Sequence, residues 1–233
     1  MTGTAEVSPF VLYPIVLCFF GGLIAFAYWW TPREQRAREH FAAKHGLVLD
    51  STGLDIPRSF HLMRRVPAGA RAEVLHAMSA PCGSGEWGVC VLGFYSGSVP
   101  DRRARAYHVL LGYLQHRDLH APRFVLTPRT LRTRILSLLA GKGVQLVGAP
   151  GIPSGLVLEC EAEEAARAFL TTPVLAALQQ AHGLTIEGQG DVVVVYKPAR
   201  MLQLQRFRPR DAARLLAVIR ILASSRFNPA SSV

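Results

Sequence analysis

His116 and His120 stand four residues apart in the stretch LQHRDLH, with Asp118 between them. Two imidazoles and a carboxylate are donors that suit a transition metal, and a spacing of four places two rings on one face of a helix. This stretch follows an apolar, strand-like run and precedes Ala121 and Pro122, so no helix is expected to bring the rings together. A solvated loop is the expectation, and no metal or other cofactor is assigned.

Nucleophiles are sparse in pattern. No serine sits in G-x-S-x-G, and Cys90 lies in the apolar run WGVCVLGF, where a small buried hydrophobe is expected rather than a thiolate. Cys18, Cys82, Cys90 and Cys160 show no C-x-x-C spacing. Cys82 and Cys90 are placed to face each other across a hairpin, with free thiols as the default. Glu161, Glu163 and Glu164 resemble a catalytic carboxylate cluster but fall in a first helical turn, where negative charge complements the helix dipole. The paired glycines Gly83/Gly85 and Gly188/Gly190 lie between strand-like runs and read as turns, not phosphate loops. A site assembled from scattered groups would draw on Cys82, Glu86, Cys90 and His108.

Two patterns suit binding better than catalysis. Arg129, Arg132 and Arg134 line a helix expected after Thr127, with Arg123 before it and Arg102, Arg103 and Arg105 on a nearby loop. Such a face suits anionic lipid. Cys18, Gly21, Gly22 and Ala25 fall at i, i+3, i+4 and i+7, a stripe of small residues that permits close approach of helices and hence self-association.

The elements that would position these groups begin with an uncharged run, FVLYPIVLCFFGGLIAFAYWW, over 10–30. At a rise of 1.5 Å per residue, 21 residues match a hydrocarbon core of about 30 Å, so a transmembrane helix is expected there. A cleaved leader fits poorly, since residues 1–9 carry Glu6 and no Lys or Arg. Arg33, Arg36, Arg38 and Lys44 follow the run closely, which places the short tail 1–9 outside the cell and the rest in the cytoplasm, on the inner membrane. Thr31, Pro32 and Glu34 announce a separate basic helix over 31–46, ended by Gly46.

From 47 to 225 the chain reads as α+β. Strands are expected at 47–50, 71–78, 87–95, 106–114, 123–126, 143–147, 155–161, 184–187 and 191–197. Helices are expected after Thr127-Pro128, over 161–169, from Thr172-Pro173 to about 182, and over 210–224. The grouping of strands before helices argues for a mainly antiparallel sheet with packed helices, with two similar subdomains dividing near 141–150 and a disordered tail over 226–233.

The segments RFVLTPRTLRTRILSLLAGKGVQLV, LVLECEAEEAARAFLTTPVLAALQQ and LTIEGQGDVVVVYKP resemble a group of bacterial single-pass membrane proteins of unknown function. The likeness rests on His45-Gly46-Leu47, the F-x-L-x-P step at Phe124 to Pro128, the helix start at Pro173 and the hairpin motif Ile186-Glu187-Gly188. It implies an N-terminal anchor and an α+β domain, and carries over no catalytic residue.

Composition closes the reading. The 233 residues carry 26 Lys and Arg against 16 Asp and Glu, with a net charge of +10. Basic protein is drawn to anionic bilayers and to nucleic acid alike. Only Phe124 is interleaved with the basic cluster, so nucleic acid ranks last. The expectation is a membrane-anchored cytosolic binding module that docks on anionic lipid or a protein partner, ahead of an enzyme.

Overall fold

The computed structural model describes residues 9–50, 54, 56, 60–64, 71–96, 105–129, 144–147, 152–198 and 207–227. Two compact units divide at Phe41, one over 1–41 and one over 42–233.

The described residues of the first unit belong to α1 (Pro9–His45), a single helix of 37 residues. Among the described residues, no helix is long and apolar enough to cross a membrane. That overturns the transmembrane helix expected over 10–30 and the single-pass architecture built on it. The apolar run is not an element of its own: the helix passes through Pro14 and Pro32 and on into Arg33, Arg36, Arg38 and Lys44. Pro32 therefore starts nothing. Gly46 does end the helix, at φ +67°. The N–H of Leu47 donates to the Ala42 carbonyl at 2.9 Å and that of Gly46 to the Ala43 carbonyl at 3.4 Å, the paired reverse bonds of a Schellman cap.

In the second unit, α2 (His61–Arg64) is a single turn. The strands are β1 (Val48–Asp50), β2 (Arg71–Cys82), β3 (Gly85–Ser96), β4 (Arg105–Gln115), β5 (Ala121–Pro128), β6 (Val144–Val147), β7 (Leu156–Cys160), β8 (Thr185–Gly190) and β9 (Val192–Tyr196). All pair antiparallel in one sheet of order β1-β2-β3-β4-β9-β8-β5-β7-β6. The α+β class stands, but β9 joins β4 to β8, so one sheet runs through both expected subdomains. Thr127 and Pro128 end β5, where they pair with Val157 and Leu156. The helix expected after them falls at 130–143, outside the described residues. Three further helices are α3 (Glu163–Phe169), α4 (Thr172–Gln180) and α5 (Pro209–Phe227). Helix α5 extends the expected 210–224 and takes in Arg226 and Phe227, which had been read as disordered tail.

Register sorts the side chains onto two faces, because strand residues alternate. One face carries Cys90, Leu92, Phe94, Leu111, Tyr113, Val194 and Tyr196, packed with Leu54, Ile56, Phe60 and Leu62 into one buried cluster. Glu187 sits on this face with 1% of its surface exposed. Its Oε1 accepts the Leu62 N–H at 3.0 Å and a short bond from the Tyr196 hydroxyl, tying α2 to the sheet. The opposite face carries Leu110, Gly112 and Leu114 and is covered by α5, whose Leu215, Leu216, Ile219 and Leu222 are all buried.

Gly112 sets the depth of that contact. A Cβ there would lie 3.0 Å from Ile219 Cγ1 and 3.2 Å from Leu215 Cβ, too close for a larger side chain unless the helix moves. Gly112→Leu is expected to cost at least about 2 kcal/mol by overpacking, which lowers the thermal midpoint by roughly 4–8 °C in a scanning calorimeter. Glu187→Leu, which strands the Leu62 N–H and the Tyr196 hydroxyl, is expected to cost about 2 kcal/mol more than Glu187→Gln in urea unfolding.

Candidate functional site

The hairpin between β2 and β3 turns at Gly83 and Ser84, since Cys82 pairs with Gly85. Alternation then points Cys82 and Trp87 to the helix-covered face, and Leu114 and His116 at the end of β4 to the same side. The last two turns of α5 arrive over this corner. Together they enclose an open depression of about 540 Å³, whose lining includes Cys82, Trp87, His116, Arg220, Ser224 and Phe227.

His116 is the best-held group in it. It is 6% exposed, and its ring stacks on that of Phe227, centroids 3.9 Å apart and planes at 27°. Its Nδ1 accepts the Asp118 N–H at 3.1 Å, so in the neutral ring the proton is on Nε2, 3.4 Å from Ser84 Oγ. The Asp118 carboxylate lies 3.8 Å from Nδ1. His120 is exposed and adopts φ +45° on the far side of the turn, so the two histidines do not converge. The loop reading of this stretch holds, but His116 is buried rather than solvated. Among the described residues, no three His, Cys, Asp or Glu side chains gather as a metal site.

Arg220 lies 5.1 Å over the Trp87 ring, a cation–π contact, and donates to the His45 carbonyl at 2.6 Å. Its partner at the helix end, Arg226, donates to the carbonyls of Ala168 and Phe169 at 3.1 and 2.7 Å and sits 4.2 Å over the Phe169 ring. These bonds satisfy the Ala168 carbonyl at the end of α3 and add a second donor to that of Phe169, which also accepts the Thr171 N–H at 3.1 Å. Burial lowers the Arg226 pKa.

The scattered enzyme site does not assemble. Cys90 pairs with Ala77, five positions along β2 from Cys82, about 17 Å at strand spacing, and points to the other face. The two cysteines therefore do not face each other. His108 pairs with Gly93, seven positions along β3 from Glu86, roughly 24 Å away. Cys90 is fully buried, and desolvation, with Glu86 second, pushes its thiol far above the usual range. Burial also raises Cys82, and raises Cys160 with help from Glu163. Glu161 and Glu163 are held in ion pairs with Arg123 and Arg167, at 2.6 and 2.5 Å.

The expected lipid-facing arginines are dispersed. Arg123 is the partner of Glu161, Arg129 is exposed just past β5, and Arg105 is the first residue of β4. Arg102, Arg103, Arg132 and Arg134 lie outside the described residues. On α1, Cys18, Gly21 and Gly22 are exposed, and a Cβ on either glycine would meet nothing within 4 Å; the side chain of Ala25 lies outside the described set. The sequence reading did not single out Arg208, Arg210 and Arg214. They are exposed at the start of α5 and form no ion pair with any described residue. The signal was present as Arg210 and Arg214, four apart and opposite the leucine stripe, with Arg208 just ahead of the helix.

No family model matches the chain, and no curated protein matches it.

Thiol chemistry checks this geometry. A raised folded pKa leaves less thiolate at about pH 8, so Cys82 and Cys160 are expected to alkylate more slowly than a peptide thiol, with the gap closing as pH rises. Cys90 is expected to stay unmodified until the protein unfolds, as read by peptide mass spectrometry.

Proposed function

We propose that the unit formed by 42–233 is a binding module that docks on an anionic lipid surface through the outer face of α5. The observation that carries this reading is the row Arg208, Arg210 and Arg214, exposed beside a single first-turn acid, Asp211, with Ala217 completing the same face one turn on. The inner stripe of the helix is consumed by the sheet, so the outer face stays available. Its charge has the sign of the whole chain, net +10.

Magnitudes favour a weak, salt-sensitive contact. Each arginine near an anionic bilayer contributes about 1 kcal/mol, so three give roughly 3 kcal/mol, a factor of about 100 in partition. Screening over a Debye length of about 8 Å at physiological salt weakens this further. A protein partner with an acidic face is the second reading, favoured by the same arginines.

Vesicle sedimentation of the full chain separates the two. Retention is expected on vesicles rich in phosphatidylserine and not on phosphatidylcholine alone. The variant carrying Arg208→Gln, Arg210→Gln and Arg214→Gln is expected to lose roughly 100-fold in partition. Equal recovery on both vesicle types at low salt would remove the lipid reading and leave the protein partner.

A further inference from the structure

The depression beneath the last two turns of α5 is separate from the arginine face, which occupies the first two turns, and its chemistry is of one sign. The guanidinium of Arg220 commits one amino group to the His45 carbonyl and keeps its other N–H groups. His116 holds its proton on Nε2, beside the Ser84 hydroxyl. Cys82 adds a protonated thiol, and among the described residues no acidic side chain lines the space. The two remaining walls are flat: the indole of Trp87 and the phenyl ring of Phe227, both half-buried.

We propose that this depression binds a small organic anion with a flat apolar body, of the class of aryl phosphates and aromatic carboxylates. About 540 Å³ lies within the range of small-ligand sites. The Arg220 guanidinium lies 5.1 Å over the Trp87 ring, and its N–H groups not spent on His45 are donors of the kind that carboxylate and phosphate oxygens accept. The imidazole of His116, its Nε2–H 3.4 Å from Ser84 Oγ, adds a polar group from the hairpin side. The ring of Phe227, stacked on His116, gives the apolar body of the ligand a surface, while the stack fixes the imidazole plane. A neutral ligand would leave the Arg220 charge without a counterpart, and inorganic phosphate would leave both rings uncovered.

The test uses the full chain and the Cys82 thiol as reporter. Iodoacetamide labelling is followed by peptide mass spectrometry at alkaline pH, with phenyl phosphate, benzyl alcohol, inorganic phosphate or anionic vesicles added. Phenyl phosphate at ten times its Kd is expected to slow Cys82 labelling roughly tenfold, with Cys160 unchanged. Benzyl alcohol and inorganic phosphate are expected to do far less. Arg220→Gln should abolish the slowing. Should that variant unfold, seen as labelling of Cys90, Ser224→Leu decides instead, since it fills the depression from an exposed helical position and leaves the Arg220 bond to His45 in place. Equal slowing by benzyl alcohol, no slowing by phenyl phosphate, or slowing that survives in Ser224→Leu would overturn the proposal. Slowing by vesicles alone would also overturn it, by making the depression part of a lipid contact.

Discussion

The seating of α5 on the sheet at Gly112 is the contact on which the rest of the second unit depends. A leucine–isoleucine stripe can approach that closely only where the strand offers no side chain. Once seated, the helix delivers three things that no local signal specifies: Arg226 to the carbonyls at the end of α3, Phe227 to the ring of His116, and Arg220 to Trp87 and His45. It also turns its arginines outward. The depression and the cationic face are thus two consequences of one packing event, at opposite ends of one helix.

Much of this fold was legible because its signals are local. Strand-like runs broken by turn residues mark β2, β3 and β4, the glycine at 46 stops α1, and the stripe from Leu215 to Leu222 identifies a helix that must be covered. Cys90 reads as a core residue from WGVCVLGF and is one. The motif Ile186-Glu187-Gly188 is structural: Glu187 supplies the buried acceptor that fastens α2.

What was not legible depends on pairing across long separations. Thr127-Pro128 has the composition of a helix start, yet the strand ladder with β7 holds it extended. Thr31-Pro32 has the same composition and lies inside a continuous helix. In both places neighbouring structure overrides a cap signal. His116 reads as solvated because the residue that covers it, Phe227, is 111 positions away in sequence and lay beyond the expected end of α5. The lack of charge over 10–30 argued for an element of its own, whereas those residues are one part of a longer helix that continues into basic sequence.

The most direct test of the account asks which surface meets the bilayer. Ala217, exposed in the middle of the arginine face, and Glu73, exposed on β2, are replaced singly by cysteine in a background carrying Cys18→Ser, Cys82→Ser and Cys160→Ser, and labelled with a fluorophore. Anionic vesicles carrying a headgroup quencher are then added. The account predicts strong quenching at position 217 and little at position 73. Equal quenching at the two positions, or none at 217 while the protein sediments with the vesicles, would contradict it.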